Sequence, residues 1–403
     1  MLPSTCFKIT DGSLSEAPSA LKISWPMKRR TPENEIVDHL RQVLPSSALV
    51  HLPDIFFSST LAPQQLDIPR TKMNLTLNEE NHQDRVLRAL ASPLYRKLWE
   101  AGSVKEFRKV WLDCLELHYL SYIKGKVLHR DVSENNLMVF ERPDGTVTGI
   151  LSDWDMADST NSSPCGVPVK RRRTGTLSFM AIDLISGREK IHCLRHDLES
   201  FFYILIWAAF NYNMKRCTKR TAPHKMVASW VRTPEEIYQG KRELYDDGFQ
   251  ANTMWRYIMK ERKAWAGVLK EWILPLYQLF TDARGASARE IAKHFEQLAE
   301  ADESSNLEEG DEEFSEEGKM RNVSDKSDKN SGGPGVDGDA TYGGRLTFFT
   351  FMLAINQVPN TWDGTIDFSA DVEAHMAQLD ADYAERERER AKSREKALKM
   401  LHK

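Results

Sequence analysis

Asp131, Asn136 and Asp153 are the residues of this chain whose types and spacing suit them to chemistry. They lie in one stretch, Val127 to Asp155, which reads VLHRDVSENNLMVFERPDGTVTGILSDWD. Asp131 offers a carboxylate that can take the proton of an attacking hydroxyl. Asn136, the fifth residue after it, and Asp153 offer hard oxygen ligands of the kind magnesium takes. Phosphoryl transfer asks little covalent work of a protein. It needs a cation to neutralise phosphate oxygens and a carboxylate to receive a proton. A plainer reading makes Asp131 a helix cap and Asp153 a strand end. The order of the residues and their context favour the chemical one.

Particular elements must position these side chains. Leu137 to Phe140 reads as a short strand, Arg142-Pro143-Asp144-Gly145 as a turn and Val147 to Leu151 as a second strand. A loop and a hairpin then bring Asp131, Asn136 and Asp153 into one mouth. Upstream, apolar residues from Val104 to Leu117 recur mostly at spacings of three and four, predicting a long helix from Ser103 to Gly125. The first 25 residues read as strands, with Lys22 in the middle of Ala20 to Trp25. Pro32 opens a helix over Glu33 to Leu44, and Glu33 and Glu35 suit its N-terminus. Residues 45–80 read as loops between short strands, and Arg85 to Leu90 as a further strand.

Beyond Asp155, Ala157 to Val169 is rich in Ser, Asn and Pro and reads as a mobile loop. Lys170 to Arg173 is a run of four basic residues. It suits a nuclear-import patch, a site for an acidic substrate or a solvated run. His196 to Phe210 is apolar all round and predicts a buried helix, with Asp197 able to cap it. Further helices are expected over Pro234 to Gln239, Thr253 to Glu271 and Ala288 to Ala299. Strands first and helices later argue for a two-lobed α+β fold.

Composition sets wider bounds. The chain has 403 residues, 41% hydrophobic and 28% charged, as in ordinary water-soluble domains. A formal charge of -4 gives no sign of a nucleic-acid or membrane partner. The five cysteines, Cys6, Cys114, Cys165, Cys193 and Cys217, are odd in number and include no C-x-x-C pair. That is the usage of a reducing compartment, so an intracellular location, cytoplasmic or nuclear, is expected. Composition breaks at Asp302 to Glu317, which holds nine acids and no Lys or Arg. Five regions are expected: 1–90, 91–300, an acidic and glycine-rich linker over 301–345, an apolar segment over 346–365 that packs back, and a charged helical extension over 366–403.

Four blocks occur together in order: VLHRDVSENN ending at Asn136, ILSDWDMA around Asp153, RTGTLSFMA from Arg173, and HDLESFF from His196. With the strand around Lys22, this set closely resembles the fungal-type protein kinase family over roughly residues 5 to 300. The resemblance implies a bilobal protein-kinase-like fold with a truncated N-terminal β lobe, residues 1–90, and a helical C-terminal lobe, residues 91–300. It implies an ATP- and Mg2+-dependent phosphotransferase, acting as a monomer on protein Ser or Thr. Asp131 would be the catalytic base, within His129-Arg130-Asp131, and Arg130 would pair with an activation-loop phosphate. Asn136 and Asp153 would hold metal. Lys22 would hold the phosphates, with Glu33 as its ion-pair partner. Thr174 and Thr176 would lie in the substrate-facing and activation segment. Asp183 would replace the Glu of A-P-E, and Asp197 would brace the catalytic loop from within.

The chain also departs from the wider kinase pattern. Ser133 stands where a lysine usually steadies the transferred phosphoryl group, Trp154-Asp155 replaces Phe-Gly, and no G-x-G-x-x-G precedes Lys22. These departures keep two alternatives open: a pseudokinase or binding scaffold, and a small-molecule kinase of the aminoglycoside or choline kinase type.

Overall fold

The computed structural model describes residues 5–9, 18–66, 72–73, 85–159, 175–187, 191–246, 248–286, 289 and 340–401. The expected helix over 288–299 apart from residue 289, the acidic run at Asp302 to Glu317, the basic run at Lys170 to Arg173, and Thr174 lie outside these residues. The chain divides into two compact units. The first comprises Met1–Leu274 and Asn356–Asp367, the second Pro275–Ile355 and Phe368–Lys403.

The first unit begins with an antiparallel sheet. Strands β1 (Thr5–Ile9), β2 (Ser19–Ser24), β3 (Phe57–Leu61) and β4 (Leu87–Pro93) lie in the order β1-β2-β4-β3. Lys22 of β2 pairs with Cys6 on one side and Leu90 on the other. Helix α1 (Glu33–Val43) follows Pro32 and buries Ile36, Val37 and Leu40 along one stripe. The expected strand at Arg85 to Leu90 is shifted: Arg85 makes only an isolated bridge to Met27, and β4 runs on to Pro93. Pairing to two neighbours, rather than local composition, fixes those ends.

Strand β5 (Arg96–Lys97) leads to helix α2 (Val104–Ile123), which opens on Ser103, whose hydroxyl accepts from the N–H of Glu106. Strand β6 (Val127–Leu128) comes next, then the hairpin of β7 (Leu137–Glu141) and β8 (Val147–Leu151), and then β9 (Asp158–Ser159). In the hairpin Leu137 faces Leu151, and β6 pairs with β9 through Leu128 and Asp158. Gly149 lets β8 lie against α2, because a Cβ there would sit 2.4 Å from the carbonyl oxygen of Val110. The hairpin, the β6–β9 pair and α2 together frame the Val127–Asp155 stretch.

Helix α3 (Ile182–Ser186) and helix α4 (Leu194–Asn211) follow. Nearly all of α4 is buried, as an all-round apolar helix must be. Helix α5 (Pro234–Asp246) is longer than its predicted span. The helix expected over Thr253 to Glu271 is instead α6 (Gly248–Glu261), a break, and a π-helical turn at Leu269–Ile273. The break falls at Arg262, whose guanidinium donates to the carbonyls of Ala209 and Tyr212. Those long-range bonds stop the period where the sequence would let it run.

In the second unit, a helix over 275–286, α7 (Phe348–Ala354) and the long α8 (Ser369–Leu401) are the described helices. Phe351 meets Phe280 edge-on at 6.3 Å, and Arg345 pairs with Asp382 at 3.1 Å. Most of α8 is exposed, in keeping with its run of alternating charge. No helix among the described residues is long and apolar enough to cross a membrane.

Candidate active site

The Lys22 side chain leaves β2 and meets three carboxylates. Its Nζ lies 2.6 Å from Glu33 Oε2, 2.6 Å from Asp153 Oδ1 and 2.7 Å from Asp155 Oδ2. Burial alone would lower the lysine, but the charges of Asp153, Glu33 and Asp155 outweigh it and hold the ammonium well above its ordinary range. Glu33 opens α1, and burial pushes its carboxyl up against the pull of Lys22. Its second oxygen accepts the backbone N–H of Trp154 at 3.1 Å, tying the helix to the loop that carries Asp153.

Asp153 follows β8 in the left-handed region, at φ 65°, and starts a short helical turn over Trp154–Met156. A non-glycine residue there is uncommon and persists where surroundings fix it. Here Trp154 does so. It is buried, its ring lies 4.7 Å from that of His129, and its indole N–H donates to the carbonyl of Leu151. Burial acts to raise Asp153, yet the charge and hydrogen bond of Lys22 leave it lowered and ionised.

Asp131 is reached through a second left-handed residue, Arg130, at φ 66°. Asp197, buried in α4, holds that turn. One oxygen accepts the N–H of Arg130 at 3.0 Å and bonds His118 Nε2 at 2.7 Å, and the other bonds His192 Nε2 at 2.6 Å. Burial would raise Asp197, but His192 and His118 hold it well below the carboxylate range. His129 bonds the carbonyl of Ser152 at 3.0 Å, and burial lowers it to about 4, so it stays neutral. Asn136 donates its amide N–H to the carbonyl of Asp131 at 2.7 Å, and its own carbonyl accepts from Ser152. The side-chain oxygen of Asn136 is then its remaining ligand atom.

The carboxylate of Asp131 is itself held. Its Oδ1 accepts both the N–H and the hydroxyl of Thr176, each at 2.8 Å. Burial first, and then the charge of Asp153, push Asp131 up to about 6, with the Thr176 bonds opposing. Such a group is ionised at neutral pH yet retains affinity for a proton, which is what a general base needs. Asp183 pairs with Arg195 at 2.8 Å near the start of α4. Arg130 pairs with Asp158 of β9 at 2.7 Å. Ser133 is buried, and its hydroxyl has no hydrogen-bond partner among the described residues.

Lys22, Glu33 and Asp153 therefore meet directly. Asp131, Asn136 and Thr176 meet beside them, near enough for Asp153 to be felt at Asp131. Three further residues did not emerge from the sequence. Asp155 is legible in the sequence only as the replacement of a glycine, although an acid beside Asp153 is itself a signal. Asp158 had no signal, because only the pairing of β6 with β9 brings it to Arg130. Glu134 is a buried acid that accepts from Trp207, Tyr212 and Lys219 and anchors the loop after Asp131.

The chain matches the family model described as fungal protein kinase over residues 4–209, just over half of its length. That span contains every residue of the cluster. No curated protein sequence matches the chain.

Proposed function

The chain belongs to the fungal protein kinase family, and from that premise we propose that it transfers the γ-phosphoryl group of ATP to a Ser or Thr hydroxyl of a protein. The observation that carries this reading is Lys22, held between Glu33 and Asp153 at 2.6 Å from each. A buried, charged lysine at the end of a helix-to-strand ion pair is the group that nucleotide phosphates require.

The donor set fits the expected cofactors. Asp153 supplies carboxylate oxygens and Asn136 an amide oxygen, both hard ligands suited to Mg2+. When bound, that ion neutralises charge on the phosphate oxygens. The chain's own residues do the rest. Lys22 holds the α- and β-phosphates, Glu33 keeps Lys22 in place, and Asp131 receives the proton of the substrate hydroxyl. Thr176 orients Asp131 and borders the substrate. Asp197 fixes the backbone of Arg130 and so the aim of Asp131. The peptide-docking segment around Thr176 favours a protein over a small-molecule acceptor.

Purified chain given γ-labelled ATP, Mg2+ and a generic protein acceptor is expected to label the acceptor, and Asp131→Ala is expected to abolish the label. Equal incorporation by both proteins rules the mechanism out. Melting with and without MgATP separates the enzyme from a nucleotide-free scaffold. A ligand at a hundred times its dissociation constant adds about 2.7 kcal/mol of stability, and a melt indifferent to MgATP supports the scaffold.

A further inference from the structure

Asp155 has no part in the mechanism above, yet it lies 2.7 Å from the lysine on which that mechanism turns. An ammonium group has three N–H donors. Lys22 donates hydrogen bonds to Glu33 and Asp153, and Asp155 stands beside them as an ion pair at 2.7 Å. The three carboxylates are not equivalent. The side chains of Glu33 and Asp155 are 6% and 11% exposed, whereas that of Asp153 is 33% exposed. The open partner is the one that must release the lysine to hold a cation. The proposed mechanism gives the two interior partners no such part.

Asp155 is fixed from behind. Its carbonyl accepts from Arg30 at 3.0 Å, and its neighbour Trp154 is tied to Glu33 through the backbone N–H. The space bordered by Lys22, Ser24, Glu33, Arg88 and Asp155 is about 10 Å³, at the lower limit for a single water. Solvent therefore offers little to replace a missing carboxylate there.

We propose that Asp155 is a positioning residue, sharing with Glu33 the holding of the Lys22 ammonium so that the lysine keeps its aim when Asp153 turns to a cation. The proposal rests on the phosphotransfer reading for its purpose, but not for its geometry. A kinase that depends on one glutamate for its lysine loses alignment when that helix moves. Here the second carboxylate comes from the loop after β8, so the grip on Lys22 does not depend on α1 alone.

The test compares wild type, Asp155→Asn, Glu33→Gln and the double variant, each first checked for an intact cooperative melt. If Asp155→Asn does not fold, Asp155→Gly takes its place. The first readout needs no nucleotide: the rate at which an amine-reactive ester labels Lys22, mapped by mass spectrometry. Each single variant is expected to speed labelling roughly three- to tenfold, and the double variant by more than the product of the two, because the partners cover for each other. The second readout is the split between KM for ATP and kcat. Asp155→Asn is expected to raise KM with kcat little changed, Glu33→Gln to raise KM and lower kcat, and the double variant to lose both. Labelling of Asp155→Asn at the wild-type rate, with Glu33→Gln alone matching the double variant, overturns the proposal. If no variant transfers phosphate but labelling follows the predicted order, the phosphotransfer reading fails and the role of Asp155 at Lys22 stands.

Discussion

Asp197 shows how much of this site rests on single buried side chains. Its two oxygens serve the N–H of Arg130, His118 and His192, and its charge is fully enclosed. Its folded-state pKa is depressed, so its contribution is present above the ordinary carboxylate range and is lost as pH falls through that lowered value. Asp197→Ala leaves three donors facing a void and should cost about 3–5 kcal/mol in urea unfolding. A loss below about 1 kcal/mol, the scale of an exposed pair, contradicts the bracing role. At this scale Asp131 is legible from its own motif, whereas Lys22 and Glu33 are paired in the sequence only through the kinase resemblance; the structure brings those two together at 2.6 Å. The sequence was silent on Asp158 and Glu134, because their partners are distant in the chain and no spacing rule links them.

Among the elements, the β7–β8 hairpin and α2 carry the most. The hairpin delivers Asp153, and its second strand lies on α2 only because residue 149 has no side chain. A Cβ at Gly149 meets the backbone of Val110 at 2.4 Å and Asp113 Cβ at 2.8 Å, neither of which can yield cheaply. Gly149→Ala is therefore expected to lower stability by about 1–3 kcal/mol through overpacking, and to weaken MgATP binding by displacing Asp153. Unchanged unfolding and unchanged nucleotide affinity together contradict this view of the contact. The helix of α2 was legible from its period and its Ser103 cap, and the hairpin from its Pro-Asp-Gly turn. The end of α6 and the ends of β4 were not. The bonds of Arg262 to Ala209 and Tyr212 and the pairing of β4 with two strands decide them, and neither leaves a local trace.

For the whole molecule, the informative segment is Asn356–Asp367, which belongs to the first unit although it follows the family match by well over a hundred residues. Trp362 is 4% exposed and sits edge-on to His51 at 6.4 Å, just after α1. The backbone N–H of Asn360 donates to Glu116 of α2, and burial pushes that carboxyl up to about 7. The first unit is thus completed by chain from far downstream, from the later part of the 346–365 segment expected to pack back; residues 346–355 belong to the second unit. Trp362→Ala is expected to destabilise the first unit by about 3–5 kcal/mol. A urea midpoint equal to wild type indicates that the segment merely rests on the surface.

The role proposed for Asp131, oriented by Thr176, is that of the base in phosphotransfer. Its most direct test is kcat/KM against pH for wild type and Thr176→Val. The wild-type profile is expected to rise through an acid limb near pH 6, where Asp131 loses its proton. The Thr176 bonds stabilise the ionised carboxylate, so removing the hydroxyl should move that limb to higher pH. A profile flat through that region, or limbs that coincide in the two proteins, contradicts the account.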